Sequence, residues 1–477
     1  MAGVTDAAEQ SYDVVVLGAG STGENVADIA VRGGMTAALV ENELVGGECS
    51  YWACMPSKAL LRGTEVLAEA RAVDGARQAV TGEQDVAATL ARRDVFTAHW
   101  DDSGQVQWVD GAGIALLRGT GRLDGERTVV VTGEDGTRTR LTARHAVAVC
   151  TGSQAAVPPI DGLAGVGAWT PREATSAKEV PGRLLVLGGG YVGCEMATAW
   201  RALGARVTLL ERADRLLLNS EPAASEAVAA SLRDSGVDVR VGTEVTAARR
   251  EGGDVVLTTS DGEIRADEVL VAVGRAAGSG DIGLETVGLE PGEYLEVDDT
   301  LQVSGTPWLY GVGDVNGRRQ LTHMGKYQAR QAGAAIVARA RGQQPDTSDW
   351  SPFVATADAV ATPSVVFTTP QVASVGRTAA EVEKAGLPHR VVEYPIGRVA
   401  GARVFADGYE GAAIAVVDTE REVLLGMTFI GPAVAELLQA ATIAVVGEVP
   451  ISRLWHAVPA YPTVSEIWLR LLETYRG

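Results

Sequence analysis

The sequence predicts an α/β protein with two Rossmann-like dinucleotide-binding domains and a C-terminal α+β domain. A glycine motif occurs twice, each time between a short apolar strand and a helix. In both copies an acidic residue ends the next strand, 23 residues after the first glycine (position 18 to 41, and position 188 to 211). After residue 351 the pattern changes to short strands separated by turns, with no further glycine motif, which is typical of an α+β domain.

The first glycine motif ends residues 13–20, DVVVLGAG, a β-branched run that breaks at glycine. Buried parallel strands enter phosphate-binding turns in this way. Gly18 permits the tight turn, Gly20 lets the backbone approach a pyrophosphate, and Gly23 packs the helix against the strand. Glu41 stands where a carboxylate can bind ribose hydroxyl groups. The motif alone is weak evidence, but strand, helix and acid together predict a dinucleotide site.

The second motif ends residues 184–190, LLVLGGG, and consists of Gly188, Gly190 and Gly193 with Glu211 after the next strand. A β-rich meander follows each copy of the unit. Two such units imply two dinucleotides bound side by side. The alternative is one bound nucleotide and a second copy that binds none.

The local patterns predict elements along the whole chain. In the first unit we expect strands at 13–20, 36–40, 128–131, 137–141 and 146–153, and a helix through Val31. In the second we expect strands at 184–190, 206–210, 237–241, 255–259 and 269–275, and a helix through Leu203. Beyond these lie a connection at 277–298, a strand at 306–315, a linker at 342–351, strands at 364–368, 412–417 and 424–430, and helices at 433–446 and 467–472.

Residues 46–61, GGECSYWACMPSKALL, contain the candidate redox chemistry. Cys49 and Cys54 are separated by four residues, and Lys58 follows near the start of an apolar helix, where a thiolate is stabilised by the helix N-terminus and a nearby cation. Residues five apart in a regular helix lie about 7.5 Å apart along its axis. A disulfide tolerates a Cα separation of about 7 Å, so bridging requires an irregular segment and gives a strained, redox-active bond. The alternative is a pair of buried or metal-binding cysteines.

Composition and charge limit the possible partners and location. The 477 residues suffice for about three domains, and the charge of −20 argues against nucleic acid or an anionic membrane as partner. No signal peptide and no transmembrane run are recognisable, so we expect a cytoplasmic protein. Cys150 and Cys194 lie in apolar segments and are expected to be core residues, and no metal site is predicted.

Seven stretches together resemble the FAD-dependent (class I) pyridine nucleotide-disulfide oxidoreductases, in particular the dihydrolipoamide dehydrogenase and mercuric reductase branches. These stretches are GAGSTG, GGECSYWACMPSK, CTGS, GGGYVGCE, VGR, GVGD and VVFTTPQVASVG, and the resemblance covers nearly the whole chain. The resemblance implies an FAD-binding domain at 1–155 and 277–348, an NAD(P)H-binding domain at 156–276, and a dimerisation domain at 349–477. It also implies a homodimer.

The resemblance assigns roles to individual residues. It implies that Cys54 lies against the flavin, that Cys49 is the outer thiol that attacks the substrate, and that Lys58 lies near flavin N5, paired with Glu195. The implied FAD contacts are Gly18, Gly20, Ser21, Gly23, Glu41, Gly47, Lys58, Gly121, Thr151, Gly152 and Asp314. The implied contacts to the nicotinamide dinucleotide are Gly188, Gly190, Gly193, Glu211, Gly274 and Arg275.

The nucleotide preference depends on the end of the second unit. Glu211 favours NADH over NADPH, because its carboxylate repels the additional phosphate of NADPH. Arg212 and Arg215 follow closely and could accommodate that phosphate instead.

The chain departs from the family at its C-terminal catalytic motif. Disulfide reductases of the family carry a His-Pro-Thr sequence with a Glu five residues after the His. This chain has Tyr461 in place of the histidine, and it retains Glu466. Thr463 and Glu466 also form T-x-x-E before an apolar helix, so a capping box is an equal alternative to a catalytic Glu466. His456 is expected to be an ordinary loop residue.

Three functions remain open from the sequence. The first is electron transfer from NAD(P)H through FAD and the Cys49–Cys54 pair to a small-molecule disulfide or thiol-reactive acceptor. The second is reduction of quinones or metals directly from the flavin. The third is a dimeric flavoprotein that senses redox state without turnover. Tyr51 and Trp52 are unusual within the cysteine loop, where they either pack or narrow the site.

Overall fold

The computed structural model describes residues 8–477, which form two compact units. Unit 1 contains the chain through Met55, Asp94–Gln154 and Arg275–Ala359. Unit 2 contains Pro56–Arg93, Ala155–Gly274 and Val360–Gly477. Part of the N-terminal segment in which no signal peptide is recognisable, residues 1–7, lies outside the described residues.

The strands are numbered in chain order. They are β1 (Ala8–Leu17), β2 (Ala37–Glu41), β3 (Ala115–Arg118), β4 (Thr120–Leu123), β5 (Thr128–Thr132), β6 (Arg138–Val149), β7 (Ser153–Ala155), β8 (Arg183–Leu187), β9 (Arg206–Leu210), β10 (Asp238–Arg240), β11 (Val245–Glu251), β12 (Asp254–Thr259), β13 (Gly262–Ala266), β14 (Glu268–Val271), β15 (Arg275–Ala277), β16 (Leu309–Gly311), β17 (Pro363–Val366), β18 (Gln371–Gly376), β19 (His389–Pro395), β20 (Ala412–Asp418) and β21 (Val423–Gly431).

The α-helices are numbered in the same way. They are α1 (Ser21–Arg32), α2 (Gly47–Tyr51), α3 (Cys54–Arg71), α4 (Val86–Phe96), α5 (Ser103–Gly111), α6 (Pro171–Ser176), α7 (Tyr191–Ala202), α8 (Pro222–Asp234), α9 (Thr322–Ala340), α10 (Ala357–Val360), α11 (Ala379–Lys384), α12 (Ala400–Phe405), α13 (Leu438–Val446), α14 (Ile451–Leu454) and α15 (Ile467–Arg476).

Unit 1 is built on a seven-stranded sheet in the order β3-β2-β1-β6-β5-β4, with β16 also paired to β6. The strands β3, β2, β1, β6 and β16 are parallel, whereas β4 and β5 form an antiparallel meander on β6. Side chains of β1 alternate between the two faces, as the two-residue period of a strand requires. Val14 and Val16 pack on the side of α1 and α9, whereas Val15 and Leu17 pack on the opposite side.

Unit 2 contains three sheets. The parallel sheet has the order β10-β9-β8-β14, and the antiparallel sheet β11-β12-β13 lies between β10 and β14 in the chain. Strand β8 repeats the alternation of β1, because Leu184 and Val186 face one apolar cluster and Leu185 and Leu187 face another. The C-terminal residues form a five-stranded antiparallel sheet in the order β17-β18-β21-β20-β19, which confirms the α+β character predicted there.

The structure corrects four predictions of secondary structure. The strands expected at 137–141 and 146–153 are one strand, β6, because the intervening polar residues also pair with β1. The strand at 237–241 was expected to belong to the second meander. It is β10, which pairs in parallel with β9 and so extends the parallel sheet of unit 2. Strands β3, β4, β11, β13, β18 and β19 have no counterpart among the predicted strands. The helix expected at 433–446 begins as a 3₁₀ turn and becomes α-helical only in α13.

Within residues 8–477, no helix is long and apolar enough to span a lipid bilayer.

Candidate active site

The phosphate-binding turn of unit 1 is shaped by close backbone contacts. Gly18 has φ of +94°, and a Cβ there would lie 2.5 Å from the carbonyl oxygen of Cys150. A Cβ on Gly23 would lie 1.9 Å from the Gly18 carbonyl oxygen, so only glycine lets α1 start so close to the strand. Gly20 precedes α1, whose first N–H groups have no partner within the helix and receive no side-chain cap among the described contacts. A pyrophosphate is a suitable acceptor for these groups.

Glu41 is fixed at the end of β2 by two backbone donors. Its carboxylate accepts hydrogen bonds from the N–H of Ala19 at 2.7 Å and of Glu43 at 2.8 Å. Burial raises the pKa of this carboxyl, and the two N–H donors oppose the rise. The side chain is therefore held beside the turn where a ribose would bind.

The turn of the second unit repeats this geometry. A Cβ on Gly193 would lie 1.9 Å from the Gly188 carbonyl oxygen, the same distance as in the first unit. Glu211 accepts hydrogen bonds from Gly189 N at 2.6 Å and from Ala213 N at 2.7 Å. The predicted internal repeat therefore extends to the hydrogen bonds of the two acidic residues.

The segment between the two candidate redox cysteines is irregular. Cys49 lies in the five-residue helix α2, which ends at Tyr51, and Cys54 is the first residue of α3. Gly47 has φ of +62°, and a Cβ there would lie 2.8 Å from the Cα of Gly20. This close approach brings α2 next to the phosphate-binding turn.

The two cysteines are not joined by a disulfide, and they share a side-chain hydrogen bond. That bond, together with burial, raises the pKa of Cys49, whereas Thr322 and Lys326 lower it. The sulfur of Cys54 lies 3.2 Å from the hydroxyl oxygen of Thr322. Because Cys54 begins the 18-residue helix α3 and Thr322 begins the 19-residue helix α9, two helix N-termini favour negative charge at this sulfur.

Lys58 and Glu195 form the ion pair expected from the resemblance. The ammonium nitrogen lies 2.7 Å from a carboxylate oxygen of Glu195, whose side chain is only 6% exposed. The other carboxylate oxygen accepts a hydrogen bond from the N–H of Phe367 at 2.9 Å, and the ammonium also lies 5.0 Å from the centre of the Phe367 ring. Each carboxylate oxygen of Glu195 therefore has a partner, as burial of a charge requires.

Arg275 and Asp314 belong to one polar cluster in unit 1. The guanidinium of Arg275 donates to a carboxylate oxygen of Glu48 at 2.8 Å and to the hydroxyl and the carbonyl of Ser153, both at 2.5 Å. The Ser153 hydroxyl in turn donates to Asp314 at 2.6 Å. Burial raises the pKa of Asp314, and the bond from Ser153 and the charge of Arg275 oppose this rise.

The remaining predicted contact residues are small or lie at turns. Gly121 lies on β4, where a Cβ would come within 2.7 Å of the Leu17 side chain. Gly152 and Gly274 have φ of +69° and +141° at the ends of β6 and β14. The hydroxyl of Thr151 is buried and has no hydrogen-bond partner within the described residues.

The C-terminal motif is not a capping box. The Thr463 hydroxyl donates to the carbonyl of Ala460 at 2.7 Å, and Glu466 accepts from the N–H of Gly401 at 2.8 Å. The capping alternative is therefore wrong, because Glu466 is used to hold α12 rather than the start of α15. Tyr461 is 77% exposed, and His456 is also exposed.

Glu24 is a buried acid that the sequence analysis did not single out. It lies in the first turn of α1, is 8% exposed, and has one carboxylate oxygen without a partner within the described residues. Burial raises its pKa to about 7, Lys326 opposes the rise, and Glu41 adds to it.

Thr322, Lys326 and Glu48 were also missed by the sequence analysis. Thr322 and Lys326 are more than 260 positions from the cysteines in the chain, so no local pattern relates them. Glu48 could have been noticed as a charged residue beside a candidate nucleophile.

Two dinucleotide-binding turns and a dithiol define the chain as a dinucleotide-dependent dithiol oxidoreductase. Residues 12–333 match the pyridine nucleotide-disulphide oxidoreductase family, and residues 362–471 match the dimerisation domain of that family. The chain belongs to this family of flavoproteins, which are FAD-dependent NAD(P)H oxidoreductases that act on sulfur groups.

The relatives extend over nearly the full chain. Dihydrolipoyl dehydrogenase 3 of Pseudomonas aeruginosa is 32% identical over 96% of both proteins. Mercuric reductase of Acidithiobacillus ferrooxidans is 31% identical over 96% of this chain and 81% of that protein. Among solved structures, the HOCl-induced flavoprotein disulfide reductase RclA from Escherichia coli superimposes with a TM-score of 0.81 at 25% identity, covering 97% of this chain and 99% of RclA.

The residues present in unit 1 fit FAD. The uncapped start of α1 suits the pyrophosphate, and Glu41 suits a ribose. The orphaned Thr151 hydroxyl and the partly exposed Asp314, whose side chain is 25% exposed, suit further polar groups of the cofactor. In unit 2 the start of α7 is likewise uncapped beside Glu211, which fits the second dinucleotide.

Proposed function

We propose that the protein passes two electrons from NAD(P)H to the Cys49–Cys54 pair and from there to a small-molecule disulfide or thiol-reactive acceptor. The observation that carries the proposal is the hydrogen-bonded dithiol with Thr322 and two helix N-termini at Cys54. FAD, when bound, supplies the two-electron relay between the nicotinamide and sulfur. The balanced first half is NADH, a proton and the protein disulfide giving NAD⁺ and the dithiol.

The two sulfurs take different parts in this proposal. Cys54 is the inner thiol, because the N-termini of α3 and α9 stabilise a negative charge on it. Cys49 retains its proton while Cys54 is ionised, since the shared hydrogen bond raises the pKa of Cys49. Cys49 is thus the outer thiol, and it must lose that proton before it attacks an acceptor.

Tyr461 limits which acceptors are used quickly. In a homodimer, we propose that it reaches Cys49 of the partner subunit, as its 77% exposure in the single chain permits. A histidine at such a position exchanges protons near neutral pH, because imidazole titrates near 6.5 whereas a phenol titrates near 10. Tyrosine therefore donates hydrogen bonds there but is a poor acid–base group, with Glu466 supporting the motif through Gly401.

NADH is the proposed reductant. Glu211 is fixed by two backbone donors beside the second turn, where its charge disfavours the extra phosphate of NADPH. Arg215 is committed to the carbonyls of Leu217, Leu218 and Ser220. This leaves Arg212, which is exposed, as the nearby cation that could favour NADPH.

The domain assignment follows the two glycine motifs. We propose that residues 1–155 and 277–348 bind FAD, that residues 156–276 bind the nicotinamide dinucleotide, and that residues 349–477 form the dimer. Two variants test the two nucleotide sites separately. Gly18→Ala should lose FAD, and Gly188→Ala should lose NADH binding.

An acceptor screen tests the proposed function. NADH oxidation is followed with oxidised lipoamide, small disulfides, quinones and metal ions, using the wild-type protein and the Cys49→Ser variant. The proposal predicts an acceptor whose reduction requires Cys49. Reduction of quinones or metals that is unchanged in Cys49→Ser would instead establish the flavin as the donor. Absence of NADH oxidation with every acceptor tested would favour a redox sensor.

A further inference from the structure

Helix α2 is too short to be stable by itself. Isolated helices of five residues do not form in water, because nucleation costs more than one turn returns. The helix begins at Gly47, directly after Gly46, and both glycines have positive φ. Its position, and that of Cys49 within it, therefore depends on contacts with the rest of unit 1.

Glu48 provides one such contact, directly before Cys49. Its carboxylate accepts from Arg275 at 2.8 Å, and the two side chains are 32% and 23% exposed. Arg275 also holds the hydroxyl and carbonyl of Ser153, and the Ser153 hydroxyl binds Asp314. Arg275 thus joins α2 to the loop that begins with Asp314.

Arg275 and Ser153 stand at corresponding places in the chain. Ser153 lies two residues before the inserted segment Ala155–Gly274, and Arg275 is the first residue after it. The fork of a guanidinium can hold several acceptors in a fixed geometry, which a lysine cannot do. The Arg275 side chain therefore ties both ends of the insertion to the residue that precedes Cys49.

We propose that Glu48 and Arg275 are positioning residues for the dithiol, whose ion pair holds α2 so that Cys49 meets Cys54. The proposal goes beyond the role expected for Arg275 toward the nicotinamide dinucleotide. It rests on the proposed function only in taking Cys49 and Cys54 as the redox pair.

Thiol–disulfide exchange with glutathione measures this positioning without NADH or turnover. The reaction is protein dithiol and oxidised glutathione giving protein disulfide and two reduced glutathiones. The equilibrium constant of this reaction reports the effective concentration of one protein thiol relative to the other. FAD-loaded protein is equilibrated in glutathione buffers, quenched with acid and alkylated, and the two states are separated by mass.

Glu48→Gln and Arg275→Met are each expected to lower the exchange constant about fivefold, because a partly buried ion pair is lost. The double variant should show no further loss, since both single changes break the same contact. Glu285→Gln is the matched control, because Glu285 pairs with Arg122 at 3.0 Å elsewhere in unit 1. It should leave the constant unchanged.

Constants within twofold of the wild type in both single variants, or losses that add in the double variant, would overturn the positioning role. If Arg275→Met does not fold, Arg275→Gln replaces it: the charge is removed, the ion pair with Glu48 is lost, and the same fivefold loss is expected. In that case, exchange constants within twofold of the wild type in both Arg275→Gln and Glu48→Gln would overturn the proposal. A wild-type protein that forms no Cys49–Cys54 disulfide at any glutathione ratio would refute the proposed function instead.

Discussion

Cys49 and Cys54 lie in different surroundings although they share a hydrogen bond. Cys54 is at the start of α3 and next to Thr322, at the start of α9. Cys49 lies in the short α2, and its bond to Cys54 raises its pKa. A single negative charge on the pair is therefore expected to reside on Cys54.

The first prediction separates the two sulfurs by absorption. In the FAD-loaded, two-electron-reduced protein, Cys54→Ser should abolish the long-wavelength thiolate-to-flavin band. Cys49→Ser should show this band without reduction, because the Cys54 thiolate then lies beside the oxidised flavin. A reduced spectrum unaffected by both substitutions would mean that the cysteines are structural.

The second prediction concerns Tyr461. General acid–base help is typically worth about 10²–10⁴ in rate, so Tyr461→His should raise reduction of oxidised lipoamide at pH 7 at least tenfold. Flavin reduction by NADH, measured by stopped flow, should not change. Lipoamide turnover in the unmodified protein equal to that of a histidine-bearing relative would contradict the assignment and direct attention to His456.

The third prediction concerns the pH dependence of stability at Glu24. Burial raises the pKa of Glu24 to about 7 from an ordinary value of 4.5, so the folded protein holds a proton that the unfolded chain releases. Stability is therefore lost as the pH rises from about 4.5 to about 7, and the loss is complete above that window.

Glu24→Gln removes this loss. At pH 8 the variant should be more stable than the wild type by about 1–3 kcal/mol, and at pH 4.5 the two should be equal. Tm values of equally FAD-loaded proteins at the two pH values provide the comparison. Asp28→Asn, in the same helix α1 but on a partly exposed side chain paired with Arg32, is the control. Equal Tm values for Glu24→Gln and wild type at pH 8 would show that ionisation of Glu24 does not reduce the stability of the folded protein.

At the scale of elements, the two β–α–β units are the features that the sequence predicts best. The helix predicted through Val31 ends at Arg32, and the strand predicted at 206–210 has the observed bounds. These segments are predictable because glycine spacing and apolar periodicity are local. The close approach of Gly23 to Gly18 is local as well.

Elements defined by pairing were predicted less well. Strand β6 crosses polar residues that a local pattern assigns to a loop, because pairing with β1 and β5 overrides propensity there. In strand β19 the charged residues Arg390 and Glu393 are exposed, but so is Val391, so apolar and polar residues do not alternate regularly along its sequence. The contacts of Cys54 with Thr322 and of Glu48 with Arg275 depend on tertiary structure, and no local signal carries them.

The fourth prediction concerns Glu211 in the second β–α–β unit. Glu211→Ala should narrow the preference for NADH over NADPH, since it removes the carboxylate that repels the extra phosphate. The ratio of kcat/KM for the two nucleotides in flavin reduction is the measurement. Glu41→Ala, the equivalent change in the first unit, should weaken FAD retention and leave that ratio unaltered. A strong NADPH preference in the unmodified protein would mean that Arg212 decides the choice.

At the scale of the whole molecule, a single chain contains two dinucleotide sites, one dithiol and a dimerisation domain. Family membership establishes the flavoprotein class. The acceptor is the part that neither the fold nor the glycine motifs can specify, because it depends on the surroundings of Cys49 and Tyr461.

Anaerobic titration of the oxidised holoprotein with NADH determines whether electrons from the nicotinamide reach the cysteine pair. After each addition the thiols are alkylated and located by peptide mass spectrometry, with the buried Cys150 and Cys194 as internal controls. The account predicts that one equivalent of NADH per chain makes both Cys49 and Cys54 alkylatable. Flavin bleaching by NADH while these two residues remain unalkylated would contradict it.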